Sequence, residues 1–215
     1  MDNLHKIKKP ALAVDVILFT IQDGDLKVGL IKREEDPYFG KFALPGRFVR
    51  YDEKIEETAR TALKLKGKIN PDKVFLEQLY TFGQNLKRDT RIRTVTIIYY
   101  GLIDSNKIDE EKNLFEWYSV YKLPELAFDH KKVIKYAVER MRNKIEYTDI
   151  AFQLMHEEFT LTELQRAYEI ILNKELDKRN FRKKMAELKV IKKLPKKKME
   201  GVHRPAQLYS FVRKN

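Results

Sequence analysis

Apolar positions along the chain follow two different periods. In residues 11–33, "ALAVDVILFTIQDGDLKVGLIKR", two β-rich runs flank QDGD, and Asp23-Gly24 is a tight-turn signal, so the segment predicts a hairpin. "KFALPG" reads as a short strand closed by Pro-Gly. Over residues 54–66 the period changes: Ile55, Ala59, Ala62 and Leu63 share one helical face. "KVFLEQLYTFG" and "TVTIIYYGLID" predict two further strands, separated by the charged loop "NLKRDTRIR". "LFEWYSVYKLPEL" adds a strand and a turn, with Trp117 and Tyr118 as core or interface residues. "DHKKVIKYAVERMRNKI" is an amphipathic helix with Ile134, Val138, Met141 and Ile145 on one stripe, and Asp129 is expected to cap it. Strands, helix, strands, helix make residues 1–145 one α+β domain.

A second unit is expected over residues 146–215. Thr160 to Glu163, "TLTE", is a capping box. The threonine hydroxyl can accept from the third helical residue's amide while the glutamate reaches back. Leu161, Leu164, Tyr168 and Ile171 then form an apolar face. "NKEL" makes a turn, and Asp177 can cap a second helix, "KRNFRKKMAEL". There Phe181, Met185 and Leu188 point inward, leaving Lys178, Arg179, Asn180, Arg182 and Lys183 toward solvent. "VIKKLPKKKMEGVHRPAQLYSFV" reads as strand, basic turn, strand. Helix, turn, basic helix, β-hairpin is the order of a winged helix-turn-helix module.

Charge sharpens this division. The chain of 215 residues has a net charge of +12. Residues 178–215 alone hold 14 Lys and Arg against two acids, so they carry the whole excess and the remainder balances to zero. A segregated basic block implies a polyanionic partner, most often nucleic acid; the plainer reading is a solvated tail. No apolar run approaches the ~20 residues that cross a bilayer, and the N-terminus lacks a signal-peptide cleavage site. The absence of cysteine excludes disulfides and thiolate chemistry and fits a cytoplasmic protein.

Residues 44–69, "LPGRFVRYDEKIEETARTALKLKGKI", hold the candidate chemistry. A Mg²⁺-dependent pyrophosphatase needs carboxylates three and four positions apart on a helix, converging on hard cations. Positions 62, 65 and 66 have that spacing but hold Ala62, Leu65 and Lys66. A lysine there opposes Mg²⁺ by about 4 kcal/mol per unit of charge product at 4 Å and an effective dielectric constant near 20. Glu53, Glu56 and Glu57 remain, either as metal ligands or as first-turn acids favoured by the helix dipole. In the loop "KRDTRIR", Arg88, Arg91 and Arg93 could hold a phosphate or sugar hydroxyl, or form ion pairs across a subunit interface. Arg33 and Arg47 flank the same expected cleft.

The 44–69 stretch resembles a Nudix motif. The motif's glycine falls on Arg47 beside Gly46, its first glutamate on Glu53, its Arg-Glu on Thr61-Ala62, and its Glu-Glu pair on Leu65-Lys66. The frame is kept and the metal ligands are not. "DKRNFRKKMAEL" and "RPAQLYSF" resemble the Nudix-related transcriptional regulators, a likeness running from about residue 11 to 211. That resemblance implies a Nudix-like α/β/α sandwich domain followed by a small winged helix-turn-helix domain. It also implies a homodimeric, ligand-responsive DNA-binding repressor with no catalytic residue, no metal and no cofactor. Its effector would be an ADP-ribose-type nucleotide or a pentose sugar. The expected ligand contacts are Arg33, Arg47, Glu57, Arg88, Arg91 and Arg93. The expected DNA contacts are Lys178, Arg179, Asn180, Arg182 and Lys183 on the helix, with Lys196, Lys197, Lys198 and Arg204 on or near the wing. The alternative is a divergent Nudix hydrolase that uses Mg²⁺ on ADP-ribose or related nucleoside diphosphate derivatives.

Overall fold

The computed structural model describes residues 8–145, 150–199 and 205–212. Strand β1 (Ala11–Gln22) has no exposed residue and is buried over most of its length because it runs through the middle of a sheet. It pairs antiparallel with β2 (Asp25–Lys32) through a turn in which Asp23 and Gly24 take φ of 54° and 73°, the left-handed pair that matches the twist of a hairpin. Its other edge pairs parallel with β6 (Thr94–Leu102), from Ala11↔Thr94 to Phe19↔Leu102. Short β3 (Phe42–Ala43) and β7 (Glu116–Ser119) pair with β2, β4 (Gly46–Phe48) with β1, and β5 (Phe75–Phe82) with β6.

Alternation along β1 divides the interior. Val14, Val16 and Leu18 face helix α1 (Ile55–Gly67) with Ala59, Ala62 and Leu63. Ile17 and Phe19 face helix α2 (His130–Ile145) with Val133, Ile134, Ala137, Val138 and Met141. The domain is therefore an α/β/α sandwich. Trp117 packs against the α1 core.

A 3-10 turn (Ile150–Leu154) leads to β8 (Glu158–Thr160), helix α3 (Leu161–Leu172), helix α4 (Lys178–Leu188), and strands β9 (Ile191–Lys198) and β10 (Ala206–Phe211). The capping box at α3 forms both bonds: Glu163 N–H donates to Thr160 Oγ1 (3.1 Å) and Thr160 N–H to Glu163 Oε2 (2.7 Å). Asp177 accepts from the Asn180 amide at 2.8 Å and starts α4. Between the helices, Gln165 Nε2 donates to the Leu176 carbonyl (2.8 Å), and the Leu176 amide donates to Glu169 Oε1 (3.0 Å), which fixes the turn. β10 pairs with both β9 and β8, so the wing is a three-stranded sheet rather than the expected hairpin alone.

The apolar core continues from α2 into this second unit through Phe152, Phe159, Leu164, Tyr168, Ile171, Phe181 and Met185. Polar bonds reinforce the joint. Arg142 Nε donates to the Ile171 carbonyl (2.9 Å), Tyr121 Oη to the Ile170 carbonyl (3.1 Å), and His156 Nδ1 lies 2.7 Å from the buried Asp104 carboxylate. Among the described residues no helix is long and apolar enough to cross a membrane.

Candidate ligand cavity and nucleic-acid interface

Where β4 leaves the edge of β1, the sheet opens a cavity of about 260 Å³. Gly46 makes the close approach possible: a Cβ there would stand 2.0 Å from Asp15 Oδ1 and 2.7 Å from the Val14 carbonyl. The floor is a charged cluster. Arg88 is buried, with a side-chain exposure of 4%; its Nη2 lies 2.8 Å from Asp129 Oδ1 and 3.8 Å from Asp15 Oδ2. His130 Nε2 is 3.6 Å from the same Asp15 oxygen. The Leu44 amide donates to His130 Nδ1 at 3.0 Å, which leaves the ring proton on Nε2, toward Asp15. Asp129 thus spends its side chain on Arg88. Only its backbone carbonyl serves the start of α2, accepting from Lys132 and Val133, which corrects the expectation of a side-chain cap.

The mouth is cationic and aromatic. The Arg33 guanidinium lies 5.0 Å from the centre of the Phe128 ring while donating to the Pro37 and Glu35 carbonyls. Arg91 approaches the same ring at 5.6 Å and the Phe48 ring at 5.7 Å, and is clamped to Asp89 by bonds of 3.0 and 2.8 Å. The Arg91 bonds hold the Asp89 carboxyl below its ordinary value against its partial burial. Arg47 Nη1 donates to Glu53 Oε1 at 3.0 Å.

Of the residues expected to bind a ligand, Arg33, Arg47, Arg88 and Arg91 line the cavity. Arg93 and Glu57 do not. Arg93 donates to the Thr94 and Gly83 carbonyls, tying the end of the loop to β6. Glu57 accepts from the Lys54 amide and closes the first turn of α1. Lys66, which the motif frame presents only as a lost metal ligand, also lines the cavity. It reaches the rim, where part of the residue stays exposed. Desolvation by the surrounding protein holds its ammonium below the ordinary lysine value, with Asp15 and Glu35 opposing that shift and Arg33 and Arg91 adding to it.

These residues do not fit a divalent cation. Ala62 is buried, and the acids left at the start of α1 are engaged: Glu53 with Arg47, Glu56 with Arg60, Glu57 with Lys54. Glu53 Oε2 is buried without a partner, and one oxygen is not a coordination site. Among the described residues no group of three His, Asp or Glu could hold a metal.

The second surface is α4. Phe181 and Met185 turn inward, the former edge-on to Tyr168 at 5.2 Å. Leu188, expected to join them, is instead exposed. Lys178, Arg179, Asn180, Arg182 and Lys183 are all exposed, and among the described residues the four cationic side chains have no hydrogen-bond or ion-pair partner. On the wing, Lys196 pairs with Glu158 (2.9 Å) and Lys198 with Glu163 (2.6 Å), while Lys197 is exposed. Arg204 lies outside the described residues.

The NrtR DNA-binding winged helix domain model matches residues 151–211. An ADPR responsive transcriptional repressor, NtrR, from Acinetobacter baylyi is 38% identical over 209 residues, which span 94% of this chain and 82% of that protein. An ADP-ribose pyrophosphatase from Methanocaldococcus jannaschii is 35% identical over 129 residues, 59% of this chain and 72% of that protein. Shewanella oneidensis NrtR, solved in complex with a 27mer DNA, matches with a TM-score of 0.82 and 34% identity over 94% of this chain and 93% of that one. Its NUDIX domain, solved with ADP ribose, matches with a TM-score of 0.55 and 35% identity over 65% of this chain and 93% of that one. With a Nudix-like sandwich and a winged helix joined in the same order, and with likeness along nearly its whole length, the chain belongs to the NrtR family.

Proposed function

We propose that this protein is an ADP-ribose-responsive transcriptional repressor of the cytoplasm, acting as a homodimer on an operator with near two-fold symmetry. Residues 1–145 bind the nucleotide and residues 146–215 bind duplex DNA. The observation that carries this reading is one chain holding both an arginine-lined cavity and a helix whose cationic side chains are uncommitted. Arginine forks suit phosphate and sugar oxygens, and free lysine and arginine on an exposed helix suit base edges and phosphates. Lys178, Arg179, Asn180, Arg182 and Lys183 enter the groove, and Lys196, Lys197, Lys198 and Arg204 meet the backbone beside it. Arg33, Arg47 and Arg91 hold the nucleotide over the Arg88 floor. The A. baylyi repressor's name and the ligand of the S. oneidensis domain favour ADP-ribose over a pentose sugar. ADP-ribose lowers operator affinity only to the extent that it prefers the non-binding arrangement of the two modules.

Fluorescence anisotropy tests this with duplex DNA from upstream of the protein's own gene. Specific binding that ADP-ribose weakens is expected; equal affinity for scrambled duplex, or indifference to ADP-ribose, overturns the reading. Likeness to the M. jannaschii pyrophosphatase keeps one rival, hydrolysis. Incubation with ADP-ribose and Mg²⁺ decides it. No turnover is expected, and Mg²⁺-dependent turnover at enzyme-like rates would establish the rival.

A further inference from the structure

Five cationic side chains line the cavity, and they differ in what they have left to give. Arg33 donates to two backbone carbonyls, Arg47 to Glu53, Arg88 to Asp129, and Arg91 to Asp89. Lys66 alone among them makes no hydrogen bond or ion pair among the described residues. It stands near the end of α1, on the exposed rim, and its ammonium keeps all three donors for an occupant. The lining also holds Asp15, Glu35 and Asp89; Arg47, Arg88 and Arg91 are each paired with a carboxylate, whereas Arg33 and Lys66 are not, and of these two only Lys66 has all its donors unspent.

We propose that Lys66 binds the diphosphate of the nucleotide directly, doing with an ammonium what a divalent cation does in a hydrolytic site, so that recognition needs no metal. This rests on the ADP-ribose reading above. An ammonium neutralises and orients a diphosphate yet places no activated water beside it. A site built this way holds its ligand without cleaving it. Desolvation lowers the Lys66 pKa, and the negative charge of an adjacent diphosphate acts in the opposite direction, favouring the charged ammonium.

Calorimetric titration of the full-length protein with ADP-ribose, in EDTA and in excess Mg²⁺, tests the proposal. Equal wild-type affinity in both is expected, together with a loss of about 10- to 100-fold in Lys66→Ala, the range of a charge-assisted hydrogen bond. Lys66→Arg should recover most of that loss. Melting curves matching wild type establish that the variants fold. A wild-type affinity that rises tenfold with Mg²⁺, or Lys66→Ala binding as wild type does, overturns the proposal. Wild type that binds no ADP-ribose under either condition sinks the functional reading instead. Titration with inorganic pyrophosphate then judges the lysine separately: binding lost in Lys66→Ala sustains it as an anion site, and no binding removes it.

Discussion

Replacing Arg88 with methionine should destabilise the protein more than any surface change, although Arg88 lies in a loop. The side chain is 4% exposed, and it bridges Asp129 Oδ1 at 2.8 Å, Asp15 Oδ2 at 3.8 Å and the Phe82 carbonyl at 3.4 Å. Methionine fills similar volume but strips the guanidinium from two carboxylates, exposed by only 15% and 22%, and leaves Asp129 without its ion-pair partner. Removing one partner from a buried ion pair costs about 3–5 kcal/mol. Water reaches Asp129, so the lower end applies, about 3 kcal/mol. In a protein of this size each kcal/mol lowers Tm by about 2–4 °C, giving a drop of about 6–12 °C. Calorimetric melting at pH 7 measures it. Arg88→Met/Asp129→Asn should regain part of the loss, because the orphaned charge at 129 is gone, and the coupling in the double-mutant cycle should fall within about 0.5–3 kcal/mol. A Tm within about 2 °C of wild type in the single variant would show that the cluster does not hold the floor.

Other consequences can be checked at the remaining sites. Arg179→Ala and Arg182→Ala should each weaken operator binding while leaving Tm nearly unchanged, since both residues are exposed. Each loss of a phosphate contact reduces the slope of log affinity against log salt by about 1, read by anisotropy. At Glu163, burial pushes the carboxyl up, but the bonds from Lys198 and the Thr160 amide outweigh it and leave the value depressed. Its stabilisation is therefore present above the ordinary carboxylate range, about pH 4.5, and is lost as pH falls through the lower folded value. Glu163→Gln should flatten the acid limb of Tm against pH. Arg142→Ala removes the bond to the Ile171 carbonyl and should reduce the effect of ADP-ribose on operator affinity more than it reduces either affinity alone.

Features written within a few residues are legible in the sequence alone: the Asp23-Gly24 turn, the Thr160–Glu163 box, the Asp177 cap and the inward pair Phe181 and Met185. Each is decided by local backbone geometry or by one helical period. The parallel pairing of β1 with β6 is not legible, because it joins positions more than 80 residues apart. β4 and β8, of three residues each, are too short to show alternation. Asp129 has the ordinary signature of a cap, and only a guanidinium 41 positions earlier in the chain redirects it. Arg93 and Glu57 mislead for the reverse reason. A charged side chain in a loop or first turn is counted as available, while nearby backbone groups claim it first. Lys66 carries one signal that could have found it: a cation on a helical face where the frame of the motif demands an acid.

The joint between the two units offers a route from the cavity to the basic surface. α3 is held at its C-terminal end by Arg142 and Tyr121, which reach the Ile171 and Ile170 carbonyls, groups that a helix of its own cannot satisfy. The same helix grips the turn into α4 through Gln165 and Glu169. The C-terminal half of α3 is therefore bonded both to the N-terminal domain and to the turn that leads into the basic helix. α2 carries Arg142 at its C-terminal end and begins at His130, directly after Asp129 in the cavity floor. A ligand that shifts the Arg88 cluster acts on the first turn of α2, and the last turn of that helix holds α3. The path has few members, and each is a helix or a hydrogen bond. Arg142→Ala cuts this path between α2 and α3, so a response to ADP-ribose that survives in that variant would show that the coupling runs elsewhere.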